Sequence, residues 1–360
     1  MRKHYLDNLR IFVIFLLFPV HTFMIWNDFG TRFYVWVEES RILSTLMIVV
    51  NAWFMPLLFA IAGMTAGYSM KKRGAKGFII ERIEKLLVPF VFGTAFLIPI
   101  QTLYARKFFL GYEGGYFDNL KYFFTHLTDF SGYDGAFTPG QLWFILFLFI
   151  ISLIAMIIIH FLPYERVENK ISKLKLPTII AMFLIVWIMY YIGNIGGYSI
   201  GKNLALYLLG YYVLRNDDVM NKLEKNTGWL AAIFIVADVT LVIAYFKTKY
   251  YGDFFVNFVA WTGTLFMLAF GKRFLNKDSG FTRYFNAASF PIYVLHQSIL
   301  VATAYYTVRT VDNVYIQIAI IMLGSFVLTV LCYEVIRRIP ILHNMLGIKR
   351  IKSKTEETAR

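Results

Sequence analysis

Arg10 and His21 are the first residues whose types and spacing could do chemistry, and they share the first long apolar run of the chain. They stand eleven positions apart. At about 100° per residue that is close to three helical turns, so both side chains lie on one helix face, roughly 16 Å apart along the axis. Ionisable groups inside a bilayer are expensive, so each needs a reason. A guanidinium at the water edge holds anions, and an imidazole can take and return a proton near neutrality. A ligand with an anionic head at one surface and a reactive end near mid-membrane fits that span. Pro19, two residues before His21, could open the backbone beside it. Taken singly, Arg10 also reads as a snorkelling anchor and His21 as a structural hydrogen-bonder.

A second cationic pair, Arg82 and Lys85, ends a basic amphipathic stretch that runs into Pro89. Three apart, the two share a helix face. They could hold phosphates or anionic lipid headgroups. Asn51, Asp238, His296 and Glu334 are further polar groups within apolar runs. Asn51 and Asp238 read as helix–helix contacts, whereas His160 and Glu334 sit where a span meets water. There is no Gly-x-Ser-x-Gly elbow, P-loop or dinucleotide fingerprint, and no paired metal-ligand histidines. No metal and no tightly bound cofactor are therefore expected.

The elements that must position these residues are membrane helices. Of the 360 residues 58% are hydrophobic and only 16% charged, and mean hydropathy is +0.59; a bilayer has a use for that much apolar surface, and a soluble globule does not. Without water in the bilayer core, backbone groups must pair within their own segment, so an all-α protein is expected. Apolar runs predict ten spans near residues 9–26, 42–70, 86–104, 141–161, 178–192, 203–214, 229–246, 254–270, 285–308 and 315–336, in one transmembrane domain over 1–347 with a flexible cytoplasmic tail over 348–360. The sixth run is short. The second is long, and Pro56 and Gly63 predict that it is kinked or tilted.

The net charge of +14 could suggest a nucleic-acid partner, but its distribution excludes one. With the N-terminus inside, 27 of the 36 lysines and arginines fall on inner segments and nine on outer loops. That is the positive-inside pattern, and it places both termini in the cytoplasm. The start of the chain lacks a small-residue cleavage site, so it reads as a retained helix and not a signal peptide. The single cysteine, Cys332, excludes an internal disulfide. The largest outer loop, residues 105–140, is rich in aromatics and glycines, and its segment 117–127 predicts an interfacial helix.

With the residues in view, Tyr5-Leu6-Asp7-Asn8-Leu9-Arg10 followed by ten residues and His21 resembles the opening of the acyltransferase 3 family of membrane acyltransferases. Four more stretches agree in order: Pro56 to Gly63, Arg82 to Pro89, Gln141-Leu142-Trp143-Phe144-Ile145, and Asn286 to His296 with its Tyr293-x-x-His296 pattern. The ending Tyr333 to Pro340 is most similar to the glucan succinyltransferase branch. Ala62 stands where the family usually has serine, Lys85 where arginine is usual, and Gln141 where histidine is common.

The resemblance implies a multi-pass protein of a bacterial-type plasma membrane. It would move an acetyl or succinyl group from cytoplasmic acyl-CoA, as co-substrate, to a hydroxyl of an extracytoplasmic glycan or polyol. His21 would be the general base. Arg10, Arg82 and Lys85 would bind the donor, and Asn51, Trp143, Tyr293 and His296 would line the pocket or the acceptor site. A transporter or glycan exporter, with His21 and Asp238 as proton-relay groups, is the alternative from another class. Such folds often show two related halves, and no internal repeat is visible. A receptor or scaffold would not need the Arg10–His21 register.

Overall fold

The computed structural model describes residues 3–30, 32–250 and 252–348; nearly all of the predicted tail, with Lys352, lies outside the described residues. The chain is helical almost throughout. In order the helices are α1 (His4–Phe23), α2 (Arg41–Asn51), α3 (Phe54–Arg82), α4 (Val88–Phe96), α5 (Ile98–Leu110), α6 (Tyr116–Thr125), α7 (Trp143–Phe161), α8 (Glu168–Ser172), α9 (Leu176–Ala181), α10 (Phe183–Tyr190), α11 (Ile200–Leu209), α12 (Asp217–Lys225), α13 (Thr227–Thr248), α14 (Asp253–Phe274), α15 (Gly280–Thr310), α16 (Val314–Ala319), α17 (Ser325–Ile336) and α18 (Pro340–Met345). A two-stranded antiparallel hairpin, 194–199, joins α10 to α11.

Seven helical stretches among the described residues have the length and apolarity to cross a membrane. One of them, 41–110, contains the second and third expected spans. The fifth corresponds to the shorter apolar stretch Leu176–Tyr190. The sixth corresponds to α11 and its π-helical extension Gly210–Leu214. The outward faces are apolar, as lipid requires: Val236, Ile243, Leu323, Val327, Leu331 and Val335 are all exposed.

Polar ties sort the connecting segments to two ends of the bundle. Lys3 bonds Asp217 at 2.6 Å, the Asn276 side chain accepts from the Tyr5 amide, Lys272 pairs with Glu224 at 3.1 Å, and Tyr284 donates to Glu334 at 2.6 Å. We call this the basic end. At the far end Asp28 is held by Arg41, Lys249 and Tyr245. Burial pushes the Asp28 carboxyl up, but the bonds from Tyr245, Ser44, Arg41 and Lys249 outweigh it and hold it down at about 2.

The second span is broken, as Pro56 suggested. The break falls at Ala52–Trp53, between α2 and α3, where Trp53 caps the turn by donating Nε1–H to the Val49 carbonyl at 2.8 Å. Pro56 then lies in the first turn of α3, where a missing N–H costs nothing. Gly63 lies in straight helix and serves contact instead of bending. A Cβ there would run into the Tyr207 carbonyl, and one at Gly210 would run into that of Ala60, so the two backbones touch at reciprocal glycines. Gly63 and Gly67 thus form a small-xxx-small interface. Because the obstacle is backbone, Gly63→Val is expected to cost at the upper end of the overpacking range, about 3 kcal/mol. Loss of the monodisperse peak in size-exclusion chromatography, or a fall in thermal midpoint, would measure it.

A second break is made by Gly74, whose φ of +67° suits glycine. It turns the chain at the basic end, and Glu81 then reaches back to tie the turn. Glu81 accepts from Ser69, from Arg73 at 2.8 Å and from Lys85 at 2.5 Å. Burial pushes its carboxyl up, yet the bonds from Lys85 and Ser69 and the charges of Lys85 and Arg82 prevail and hold it at about 2. A folded value below the ordinary 4.5 means that the tie stabilises the turn fully above that range and is lost as pH falls from about 4.5 toward 2. Proteolysis within 71–85 should therefore stay constant from pH 7 to 5 and rise only in stronger acid.

Sidedness is open to a direct test. With Cys332 replaced by serine, a cysteine at Gly115 should react with an impermeant thiol reagent in intact cells, and one at Lys76 should not. Labelling at Lys76 would reverse the proposed orientation.

Candidate active site

His21 lies in the far half of α1, and its ring faces that of His296 on α15 with centroids 5.2 Å apart. The two helices run side by side in the same direction, zipped by Phe15 against Phe281 and Phe285 and by Phe18 against His296. Helix periodicity sets this meeting. Phe15, Phe18 and His21 are spaced by three and share a stripe, as do Phe281 and Phe285.

His296 is completely buried, and its Nδ1 lies 2.6 Å from the Tyr293 carbonyl. A carbonyl only accepts, so that nitrogen carries the proton and Nε2 is left as a lone pair. His296 Nε2 and His21 Nδ1 are both buried without a hydrogen-bond partner. Buried polar groups are nearly always satisfied, and unsatisfied ones concentrate where a ligand or reaction will use them.

Aromatic residues of the far-end loops close over the pair. Phe33 stacks on His21 at 6.1 Å with the planes 9° apart, and Tyr34 and Tyr133 pack edge-on around Phe33. Burial raises the Tyr34 and Tyr133 hydroxyls above their ordinary values, so both stay un-ionised. Loop 105–140 is pinned by Arg106, whose guanidinium lies between the rings of Tyr112 and Tyr122 at 3.8 and 4.1 Å. Gly135 leaves the room that this side chain occupies. The expected interfacial helix of this loop is α6, with Phe117 and Phe124 exposed on its surface.

Beside the histidines runs a buried amide network. Gln101 donates to Gln141 and to Ser298, both at 2.9 Å, and accepts from Gln297 at 3.1 Å. Gln141 donates to the Val294 carbonyl at 3.2 Å, and its own carbonyl receives the Tyr293 hydroxyl. Gln141 thus locks the start of α7 onto the helical turn that carries His296.

At the basic end, Arg10 bonds Asp7 at 3.0 Å and the Thr65 hydroxyl at 3.1 Å. Thr65 and Ser69 are one turn apart on the same face of α3, so Arg10 docks a turn away from the Glu81 hub that gathers Arg73, Arg82 and Lys85. Arg82 lies over the Phe78 ring at 4.7 Å, and its Nε is buried without an acceptor. A π-helical turn, Ile83–Leu87, directly follows it; such turns often mark functional sites.

The predicted residues therefore sort into two groups on α1 and its neighbours. His21, His296 and Tyr293 meet in the far half, and Arg10, Arg82 and Lys85 gather at the basic end. Trp143 stands one layer out, stacked on Tyr198 at 3.8 Å and joined to Tyr293 only through Phe144. Asn51 ends α2 and makes no described hydrogen bond to the pair. Asp238 is buried in α13 with Oδ1 unpartnered, and no described contact joins it to His21. Phe33, Gln101, Gln297, Ser298 and the Glu81 hub were not singled out beforehand. The i,i+4 spacing of Glu81 and Lys85 was the one local signal for the hub.

A helical bundle with apolar outward faces, which buries an imidazole pair in one half and gathers cations at the opposite end, is a polytopic membrane protein. Residues 3–334 match the acyltransferase 3 family, described as an acyltransferase domain, and the chain belongs to that family. It is a membrane acyltransferase. No curated protein and no solved structure matches it.

Proposed function

We propose that this acyltransferase takes an acetyl or succinyl group from acyl-CoA at the basic end and delivers it to a hydroxyl of a glycan or other envelope acceptor at the far end. The single observation that carries this reading is the disposition of α1, with Arg10 among cations at one surface and His21 in a buried imidazole pair in the other half. Acyl-CoA is long and thin, with its phosphates at one end and its thioester at the other. Arg10, Arg82, Lys85 and Arg73 are four cations against two carboxylates, Asp7 beside Arg10 and Glu81 among the other three, so the cluster keeps a net positive charge for phosphates. The thioester arm then lies along α1 toward His21.

There the acceptor hydroxyl gives its proton to the imidazole as its oxygen bonds to the thioester carbonyl carbon. The carbon–sulfur bond breaks, and the sulfur leaves with the proton returned. Purified protein given acyl-labelled CoA thioester tests the reading. Thioester cleavage with transfer to a hydroxylic acceptor supports it, and uptake of an intact solute without any turnover would favour the transporter instead. Mass spectrometry of surface glycans with and without the protein would name the acceptor.

A further inference from the structure

The two histidines have different duties, and the hydrogen bond at Tyr293 tells them apart. When His21 takes a proton it becomes a cation in a low-dielectric site. A buried imidazolium needs a partner for its second N–H, a role that a carboxylate fills in the serine-protease triad. Among the described residues no aspartate or glutamate bonds either ring. The ring beside His21 is that of His296, whose Nε2 is a lone pair fixed in that state because Nδ1–H is committed to the Tyr293 carbonyl at 2.6 Å. On the neighbouring ring, His21 Nδ1 is likewise buried without a partner. At a centroid separation of 5.2 Å the two can join directly after a small rotation or through one water.

We infer that His296 is the positioning residue of this site: its bare Nε2 receives the His21 Nδ1–H, which fixes the tautomer of His21, leaves Nε2 of His21 free to accept the hydroxyl proton, and spreads the imidazolium charge over two rings. The amide network that locks Val294 and Tyr293 to Gln141 holds this turn of α15 in place. The inference rests on the proposed role of His21 as base. The proton balance of the reaction is unchanged, because His296 shares a proton and neither gains nor loses one over the cycle.

The test compares His296→Asn and His296→Gln with wild type in thioester turnover and donor binding. Asparagine can supply an N–H near the position of Nδ1 and so keeps the Tyr293 bond, but it has nothing where Nε2 stood. Its kcat should fall at least tenfold with the donor KM unchanged. Glutamine can place an amide oxygen near the Nε2 position and should recover part of the loss. A purely structural His296 would be rescued by asparagine, and wild-type kcat in His296→Asn would overturn the inference. A second measurement does not depend on the variants folding. Nitrogen NMR of histidine-labelled wild-type protein should show His296 protonated at Nδ1 and bare at Nε2, and the opposite tautomer would equally overturn it. No turnover in wild type would instead remove the proposed function itself, and full turnover in His21→Gln would remove the role of His21 on which the inference rests.

Discussion

His21→Gln should abolish acyl transfer while donor binding stays intact. Glutamine keeps a hydrogen-bonding group beside His296 and Phe33 but cannot accept a proton from an alcohol. General-base assistance is worth about 10²–10⁴ in rate, and the loss should be of that order. In the proposed reading the phosphates of the donor bind at the other end of α1, so the affinity for acyl-CoA should not move. The measurement is single-turnover transfer beside equilibrium donor binding, on a variant that remains monodisperse. Wild-type turnover would return His21 to helix packing.

The second large effect is expected at the basic end, and it has the opposite signature. Arg10→Ala should lose donor binding first, as should the pair Arg82→Ala with Lys85→Ala. Each charge-assisted hydrogen bond to phosphate is worth about 1.5–3 kcal/mol, or about 10- to 100-fold in affinity. Lys85 is 44% exposed at its side chain against 16% for Arg82, so Arg82 should carry more of the change. Raising the ionic strength should weaken donor binding in wild type. CoA affinity unchanged in the double variant would leave these residues as topology markers alone.

Much of this was legible in the sequence, because a bilayer enforces simple rules. Runs of apolar residues become helices, and cations gather at one end. The Arg10–His21 register is a property of one helix and needs no tertiary knowledge. What could not be read was which distant residues would meet. His296 was singled out for its setting in an apolar run and for its motif, but its pairing with His21 depends on α1 and α15 lying parallel across 275 positions of chain. The Gln101–Gln141–Gln297–Ser298 network draws single polar residues from three helices, and none has a local pattern. Gly63 misled because the usual reading of glycine in a helix is a bend. Here the glycine removes a side chain so that a neighbour can approach.

That close approach has a mechanical consequence. Where Gly63 meets the Tyr207 backbone and Gly210 meets that of Ala60, α3 and α11 touch main chain to main chain. Such a joint behaves as a weld, since any sliding drives carbonyls into Cα atoms. A machine that rocks one half against the other would need a slip plane through its middle, and α3 cannot supply one on this side. The same helix carries the Thr65 and Ser69 anchors of the cationic cluster. The proposed donor site is thus set on a rigid joint, and in the proposed reading passage of an acyl group would come from movement of a slender substrate arm and of loops rather than from sliding between α3 and α11.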